Sequence, residues 1–546
     1  MDSDFWTTRR PRGVSDTIDV EEYSSLVELI DGFLTEHSNK PAYTCLGKTL
    51  TFTEVDEYSR RLAGWFQKES GLKPGDRLAI QLPNLLQYPI VAFAALRVGL
   101  VVVNVNPLYT LTELKHQLAD SGTQAIVCLS SNVALIREAS DGSQKVINTD
   151  PLDLIQEGTE STLVEGCTPL LPILNNANAD DYSPYAEARL TDLAMLQYTG
   201  GTTGFAKGAM LSHGNLLANL LQYRAITQEQ NEQGEVFLPT GKQVIITPLP
   251  LYHIFAFTVN MLMYGSRGDE NVLIPNPRDI DQFIKVLNSK PFTVFAGLNT
   301  LFSGLLAHPE FSKCDFSHLV LTMSGGTALK QEVNRQWQET TGVGIIEGYG
   351  LTECSPVVSV SPIGPKKDGT VGQPVPETEL KLVKQDGSVA TLGEQGELCV
   401  RGPQIMMGYW NNPEATAKTI DENGWFYTGD VAQIDSEGFI SIVDRLKDMV
   451  LVSGFNVYPN EIEDVVTKMD GVQYCAAIGV PDEKTGEAVK LFVVKGEGEL
   501  SEEKVVEWCR QHLTPYKVPR HIEFRSALPM TAVGKILRKD LKEDAV

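Results

Sequence analysis

The stretch MLQYTGGTTGFAKG, residues 195–208, runs from an apolar segment into a loop of glycines and threonines. The apolar letters predict the end of a buried strand, and the loop follows it directly. Three glycines and three threonines fall within the six residues 199–204. Glycine permits positive φ and exposes backbone N–H groups, and threonine adds hydroxyl donors. Such a loop at a strand end is typical of phosphate binding in α/β sheets, and a flexible surface turn is the alternative.

The loop does not match the common phosphate-loop pattern GxxxxGK[ST], in which lysine follows the last glycine directly. Here Phe205 and Ala206 separate Gly204 from Lys207. The dinucleotide pattern GxGxxG is also incomplete, because GYGLT (348–352) is followed by Glu353. The sequence therefore predicts a phosphate site of another kind.

Outside the loop, helical patterns alternate with short β-branched runs along most of the chain. The patterns predict helices over 52–70 and 278–290, and strands over 77–82, 124–129 and 292–297. This alternation is typical of α/β layers with much parallel sheet. We therefore predict a large α/β domain.

The composition and the predicted secondary structure of the chain change in three places. Residues 140–190 are polar and rich in Asp, Asn, Gly and Pro, and we interpret them as a surface excursion. From about residue 370, short strands with Gly and Pro turns predict a small β subdomain. A small α+β domain follows, of a size that can fold separately. We expect an N-terminal domain over 1–443 and a C-terminal domain over 449–546.

Composition and charge exclude several classes of protein. The 546 residues include 46 Lys and Arg against 70 Asp and Glu, a formal net charge of −24. General nucleic-acid binding needs a cationic surface, so we expect no nucleic-acid partner. The same charge predicts only weak attraction to anionic lipid.

Targeting signals and disulfides are not predicted. The most apolar stretch, 89–109, is interrupted by Arg97, Gly99, Asn104 and Asn106, and it predicts a buried helix and strand rather than a membrane span. The first residues, MDSDFWTTRRPRG, resemble neither a secretory signal nor a transit peptide. The eight cysteines form no CxxC pair, which favours reduced thiols in a cytoplasmic protein.

Three further segments carry groups that could bind a nucleotide. The glycine pair in LTMSGGTAL (321–329) offers backbone against which a base could lie. In IIEGYGLTECSP, Tyr349 could stack on a base or fill the core, and Glu353 could hold Mg²⁺. In WFYTGDVAQID, Asp430 could accept two ribose hydroxyls, or it could be an ordinary turn residue.

Two more residues have weak signals when each is taken alone. His253 stands among apolar residues in PLPLYHIFAF, where a histidine is more often a hydrogen-bonded residue of the core than a catalytic one. Lys535 follows a glycine near the last helical pattern, and a lysine there is ordinarily solvated.

Together and in this order, these segments resemble the ANL superfamily of adenylate-forming enzymes, which includes acyl-CoA synthetases, nonribosomal-peptide adenylation domains and firefly luciferase. The resemblance extends over about residues 25–543. Residues 85–118 and 423–463 are most similar to the bacterial acyl-CoA synthetases of long-chain fatty acids. The resemblance implies a ligase that uses ATP, Mg²⁺ and coenzyme A. The fatty-acid carboxylate attacks the α-phosphate of ATP to give acyl-AMP and pyrophosphate, and the CoA thiol then displaces AMP.

The resemblance also implies roles for individual residues in binding ATP and its metal. The β- and γ-phosphates are expected at Thr199, Gly200, Gly201, Thr202, Thr203, Gly204 and Lys207. Adenine and the α-phosphate are expected at Gly325, Gly326, Thr327, Gly348, Tyr349, Gly350, Leu351 and Thr352. Mg²⁺ is expected at Thr199 and Glu353, and the ribose at Asp430 with Arg445 nearby.

The catalytic and acyl-site roles come from the same resemblance. Lys535 is expected to bridge the substrate carboxylate and the α-phosphate, and His253 to line the acyl entrance. Phe257 occupies the position of an aromatic gate to the acyl tunnel. Lys447 lies in a hinge at 444–448, about which a mobile C-terminal domain is expected to rotate between the half-reactions. The other orientation is expected to present Gly454 to CoA.

Alternatives remain within and outside this enzyme class. Acyl length depends on tunnel shape, so a medium-chain or aryl-CoA ligase, or an acyl-AMP ligase that loads a carrier protein, is the second reading. A nonenzymatic nucleotide- or fatty-acid-binding protein is the reading from a different class. The expected partners are fatty acid, ATP and CoA, with peripheral membrane attachment and a homodimer as further expectations by analogy.

Overall fold

The fold is described by a computed structural model over residues 3–156, 158–185, 187–199, 206–364, 366–496, 498–531 and 536–544. Its strands, in chain order, are β1 Pro41–Cys45, β2 Lys48–Thr51, β3 Arg77–Gln81, β4 Val101–Asn104, β5 Ala125–Leu129, β6 Lys145–Thr149, β7 Thr168–Pro169, β8 Leu193–Thr199, β9 Lys207–Ser212, β10 Val244–Thr247, β11 Glu270–Leu273, β12 Val294–Gly297, β13 Leu321–Ser324, β14 Ile345–Gly350, β15 Val357–Val360, β16 Gln373–Pro374, β17 Glu379–Val383, β18 Gln395–Arg401, β19 Gly408–Tyr409, β20 Phe426–Ile434, β21 Ile440–Arg445, β22 Val450–Val452, β23 Phe455–Val457, β24 Val472–Asp482, β25 Gly486–Lys495 and β26 His521–Arg525.

Helices alternate with these strands through most of the chain. They are α1 Ser3–Thr7, α2 Leu26–Glu36, α3 Phe52–Lys68, α4 Gln87–Arg97, α5 Leu111–Ser121, α6 Val133–Ala139, α7 Leu170–Asn176, α8 His213–Ile226, α9 Ile280–Leu287, α10 Asn299–Leu306, α11 Gln331–Thr341, α12 Pro413–Thr419, α13 Pro459–Val466, α14 Glu502–His512 and α15 Arg538–Glu543, with a π-helix over Ala256–Tyr264. The helices predicted over 52–70 and 278–290 are confirmed as α3 and α9, and the three predicted strands as β3, β5 and β12.

Two large sheets, both mostly parallel, form the N-terminal part. In the order β16-β15-β14-β13-β12-β10-β11-β1-β2, the strands from β14 to β1 run parallel. In the order β19-β9-β8-β4-β3-β5-β6-β7, the strands from β8 to β7 run parallel. Antiparallel strands complete the edges, as β9 does beside β8. The predicted α/β class is confirmed.

The apolar stretch 89–109 folds as the sequence predicts. Helix α4 is buried along its whole length, and β4 follows it as a fully buried strand. Arg97 is completely buried and donates to the carboxylate of Asp31 at 2.7 Å, which compensates the charge that interrupts the apolar run. Across the described ranges, no helix combines the length and apolarity that a membrane crossing requires.

The interpretation of residues 140–190 as a surface excursion is wrong for two parts of that segment. Strand β6 pairs with β5, and β7 pairs with β6, so both extend the second sheet. Helix α7 then buries four apolar side chains: Leu170, Leu171, Ile173 and Leu174. Burial of such side chains contributes roughly 1.5–3 kcal/mol each, which outweighs the polar composition around them.

Two smaller sheets follow the large ones. Strands β17, β18, β20 and β21 form an antiparallel sheet, which confirms the predicted small β subdomain. After residue 449, β22 to β26 form another sheet, in which β26 runs parallel to β25. Helices α13 and α14 pack on this last sheet around a separate apolar core that includes Val457, Ile462 and Val505.

Candidate active site

A cavity of about 2330 Å³ lies where the carboxyl ends of parallel strands from both large sheets meet. Residues that follow or end β4, β8, β10, β12, β13 and β14 line it. Residues of the small β sheet and of the C-terminal part complete the wall. Ligands bind at this edge in open α/β sheets because the strand ends leave a crevice with loops around it.

The phosphate loop begins and ends on one hairpin. Thr199 ends β8 and is the register partner of Lys207, the first residue of β9, and both line the cavity. The intervening residues named above, Gly200, Gly201, Thr202, Thr203 and Gly204, lie outside the described residues. The hairpin therefore places a hydroxyl and an ammonium group at the two ends of the loop.

Tyr409 connects the loop lysine to the expected metal ligand. The Nζ atom of Lys207 lies 4.8 Å from the centroid of the Tyr409 ring, a cation–π contact. The Tyr409 hydroxyl donates to Oε1 of Glu353 at 2.7 Å. Burial, and then the nearby Glu353 carboxylate, raise the pKa of Tyr409. Sequence reasoning did not find Tyr409, whose only signal was its place in the aromatic run of GYW (408–410).

Asp430 is held by two residues that the sequence had placed near the nucleotide. Tyr349 donates its hydroxyl to Oδ2 of Asp430 at 2.6 Å, and Nε of Arg445 lies 3.1 Å from Oδ1. Asp430 and Arg445 are register partners in β20 and β21. Removal from water is the main reason that the pKa of Tyr349 is raised, and the Asp430 carboxylate adds to it.

The glycines around the expected adenine site have little room for a side chain. A Cβ on Gly325 would lie 3.0 Å from Cε1 of Phe255, and Gly326 has a φ of +81°. A Cβ on Gly350 would overlap the carbonyl oxygen of Pro356. The other residues expected here also line the cavity: Thr327, Gly348, Leu351 and Thr352.

His253 lies at the cavity, whereas Phe257 does not. The Nδ1 atom of His253 accepts the backbone N–H of Phe255 at 3.3 Å. Phe257 is fully buried in the π-helix, whereas Phe255, directly before that helix, lines the cavity. The helical backbone separates the two phenylalanines onto different faces, so the gate role of Phe257 stays a prediction and Phe255 is a residue that sequence reasoning missed.

The hinge residues face the same cavity. Arg445 and Lys447 both line it, and burial, followed by the charge of Arg445, lowers the pKa of Lys447. Gly454 lies in the exposed turn between β22 and β23, with a φ of +83°, and its expected contact with CoA in the other orientation stays a prediction.

Lys535 lies outside the described residues. Met530 and Ile536, on either side of that segment, form an isolated bridge, and both line the cavity.

Glu347 is a further acidic group that sequence reasoning missed. Burial raises its pKa to about 7, the backbone N–H of Leu329 counters this by donating at 3.1 Å, and the carboxylates of Asp464 and Asp368 add to the rise. Its position directly before the GYG motif was its signal in the sequence.

Comparison with known proteins agrees with this geometry. Residues 31–410 match the family of AMP-binding enzymes, and residues 461–535 match the C-terminal domain of AMP-binding enzymes. The chain belongs to the AMP-binding enzyme family. This AMP-binding enzyme is 48% identical over 557 aligned residues to the long-chain-fatty-acid–CoA ligase of Escherichia coli O157:H7, with 99% of this chain and 98% of the relative covered.

Solved structures of AMP-binding enzymes share the fold. The ATP-bound MatB of Rhodopseudomonas palustris has a TM-score of 0.83 and 28% identity, with 95% of this chain and 98% of that chain covered. The fatty acyl CoA synthetase of Mycobacterium tuberculosis has a TM-score of 0.71 and 26% identity, with 96% of this chain and 99% of that chain covered.

Proposed function

We propose that this enzyme activates a long-chain fatty acid with ATP, releases pyrophosphate, and transfers the acyl group to coenzyme A with release of AMP. The observation that carries the proposal is the meeting, in one cavity, of the phosphate-loop hairpin and the Asp430 cluster. These are the two ends of a bound nucleotide, its phosphates and its ribose. The full-length similarity to long-chain-fatty-acid–CoA ligases supports the acid and the thiol as the other two substrates.

The first half-reaction makes a poor electrophile reactive. A free carboxylate cannot lose oxide, so its oxygen attacks the α-phosphorus of ATP and the α–β bridging bond breaks. The products are acyl-AMP and pyrophosphate, and the acyl carbon now carries AMP as a good leaving group. The site needs to stabilise negative charge that builds at the α-phosphate, which fixed donors in a dry site do well. We assign this role to Lys535, with Thr352 at the α-phosphate.

The described contacts support a position for the nucleotide in this proposal. Asp430 presents a carboxylate that could accept the ribose hydroxyls while Tyr349 and Arg445 hold it in place. Gly325 and Gly326 line the cavity and offer backbone against which adenine could lie. Lys207 and Thr199 lie at the pyrophosphate end.

The residues at the phosphate end fit Mg²⁺. Thr199 offers a hydroxyl and Glu353 a carboxylate, and Mg²⁺ prefers oxygen ligands, commonly one or two carboxylates together with substrate phosphates. The Tyr409 hydroxyl engages one oxygen of Glu353 and orients the group. When bound, the metal would screen the charge of the β- and γ-phosphates.

The acyl chain and CoA would occupy the remaining space. Apolar side chains of the cavity wall suit a fatty-acyl tail: Leu249, Ile254, Phe255, Leu298, Met323 and Val357. In the second half-reaction the CoA thiol attacks the acyl carbon, the bond to AMP breaks and the thiol proton is lost. We propose that the segment 449–546 turns about the hinge 444–448 between the half-reactions, a common way to assemble two sites in succession.

We further propose that the enzyme works in the cytoplasm and attaches weakly to membrane surfaces, where long-chain fatty acids partition. The net charge of −24 opposes strong binding to anionic lipid. A homodimer is proposed by analogy alone. Sedimentation with and without vesicles of neutral lipid tests both ideas, since a monomer that never pellets with vesicles would contradict them.

A chain-length series tests the function. Purified enzyme is supplied with ATP, Mg²⁺, CoA and saturated acids of increasing length, and pyrophosphate release is followed. We expect the highest kcat/KM with long chains. A maximum on benzoate-like acids, or a thioester that forms only on a carrier protein, would contradict the proposal.

A further inference from the structure

A small polar network spans the hinge between the two parts of the chain. Asp444, in β21, is almost completely buried, and its Oδ2 accepts the backbone N–H of Asn460 at 2.8 Å. Asn460 lies in the first turn of α13, and its side-chain amide donates to the carbonyl of Val443 at 3.3 Å. The N-terminus of a helix that follows the hinge thus binds the buried carboxylate of the first hinge residue, which β21 holds.

Arg538 joins this network from the last helix. Its Nη2 donates to Oδ1 of Asn460 at 2.8 Å and to both carboxylate oxygens of Glu463, at 2.8 and 2.9 Å. Its Nη1 lies 3.7 Å from Oδ2 of Asp448, in the hinge. Asn460 therefore bridges Asp444 and Arg538. Helix α15 is fixed to α13 and to the hinge through one guanidinium.

The two halves of the network behave differently if the hinge turns. Arg538, Asn460 and Glu463 all lie after the hinge, so their mutual contacts survive a rotation of that part as one body. The bonds from Asn460 reach Val443, before the hinge, and Asp444, the first hinge residue, which β21 holds, so a rotation of the part after the hinge breaks them. Loss of the Asn460 donor leaves the buried Asp444 carboxylate with the backbone N–H of Arg445 as its other described donor, a cost that favours the orientation in which both bonds are made.

We propose that the bonds from Asn460 to Asp444 and Val443 form a latch that holds the orientation described here, that Arg538 positions Asn460 for these bonds, and that this orientation serves the first half-reaction. In it, Thr531 and Ile536 border the nucleotide cavity together with Asp430, whereas the turn with Gly454 is exposed outside. The assignment to the first half-reaction rests on the proposed function. Asp444 and Arg538 are positioning residues, since they act by placing the C-terminal part at the cavity.

The test separates the two half-reactions in the full-length enzyme. Acyl-AMP formation is measured by pyrophosphate release without CoA, and thioester formation is measured from supplied acyl-AMP and CoA. For Asp444→Ala and Arg538→Gln we expect the first rate to fall about tenfold while the second stays equal or rises. Arg538→Lys should recover part of the loss. Arg510→Gln, at an exposed arginine of α14, is the control and should change neither rate.

The double variant and a proteolysis assay complete the test. Asp444→Ala with Arg538→Gln should be no slower than the worse single variant if the two act as one latch. Trypsin should cut near Lys447 several-fold faster in both variants than in the wild type, with Arg510→Gln unchanged. Equal loss in both half-reactions, or unchanged rates and cleavage, would overturn the latch. If Arg538→Gln does not fold, the same measurements on Asp444→Ala and Arg538→Lys test the latch.

Failure of the proposed function would have a different signature. A wild-type enzyme that releases no pyrophosphate with any fatty acid would refute the proposed function. In that case the trypsin cleavage rates of the variants and the wild type would by themselves show whether the latch exists.

Discussion

The hydroxyl of Tyr349 donates to Oδ2 of Asp430 at 2.6 Å, although 81 residues separate the two in the sequence. The bond connects β14 of a large sheet to β20 of the small antiparallel sheet. A carboxylate held from two sheets has little freedom to move, and under the proposed function we expect it to be preorganised for the ribose hydroxyls. Such preorganisation reduces the entropy that binding would otherwise cost.

Tyr349→Phe should weaken nucleotide binding without changing the fold. Loss of a donor to a charged acceptor is worth roughly 1.5–3 kcal/mol, so we expect KM for ATP to rise about tenfold or more. Asp430→Ala should have a larger effect. Steady-state kinetics with varied ATP checks both, and Tyr23→Phe, at a tyrosine outside the described cavity lining, is the matched control. An unchanged KM for ATP in Tyr349→Phe would contradict the proposal that the nucleotide binds at Asp430.

Tyr409→Phe isolates the contact with Glu353. The phenylalanine ring keeps the cation–π contact with Lys207 and lacks only the hydroxyl that orients the carboxylate. We expect the Mg²⁺ concentration at half-maximal rate to rise several-fold, while Tyr409→Leu, which removes both contacts, should also raise KM for ATP. Initial rates over a Mg²⁺ titration give the answer. The same Mg²⁺ dependence in wild type and Tyr409→Phe would show that Glu353 is not a metal ligand.

Glu347 predicts a pH-dependent stability. In the folded protein its pKa is about 7, raised from an ordinary 4.5 mainly by burial. The folded state therefore binds more protons than the unfolded chain between these values, and stability falls as pH rises through that window. Glu347→Gln mimics the neutral form. We expect its Tm to match the wild type near pH 5 and to exceed it by about 2 °C or more near pH 8.

The control for that experiment is Glu339→Gln, at an exposed glutamate of α11. Its Tm difference from the wild type should be the same at both values of pH. A Tm difference for Glu347→Gln that does not grow between pH 5 and pH 8 would contradict the raised pKa.

Lys535→Ala should affect one half-reaction. If Lys535 stabilises charge at the α-phosphate, acyl-AMP formation should fall about a hundredfold or more, because one such cation in a dry site is worth ~3 kcal/mol. Thioester formation from supplied acyl-AMP should be spared. Lys484→Ala, in an exposed turn of the same part of the chain, is the control. Equal loss in both assays would contradict the division of labour.

The sequence predicted those parts of the fold and site that local patterns encode. Helix α4 and strand β4 follow from one apolar run, and Thr199 and Asp430 each sit in a motif beside glycine. Helix α7 was missed because the whole helix is only seven residues long, ends in two asparagines and lies in a polar region. So short an apolar run cannot be told from a loop by its sequence alone, and its burial against β6 is seen only in the structure.

Contacts between distant segments could not be predicted from local patterns. Tyr409 reaches Glu353 because β19 pairs with β9, a register that no single segment specifies. That Phe255 lines the cavity while Phe257 is buried depends on the course of the chain into the π-helix Ala256–Tyr264, which the local sequence does not specify. The raised pKa of Glu347 depends on burial and on carboxylates from other segments.

The most direct test of the central claim is a single-turnover experiment with ATP labelled at the α-phosphate. Excess enzyme is mixed with the labelled ATP, Mg²⁺ and a long-chain fatty acid in the absence of CoA, and the products are separated. We expect labelled acyl-AMP with an equal amount of pyrophosphate, and quantitative conversion to AMP and acyl-CoA when CoA is added. Labelled ADP, or label that never joins the acyl group, would contradict the claim.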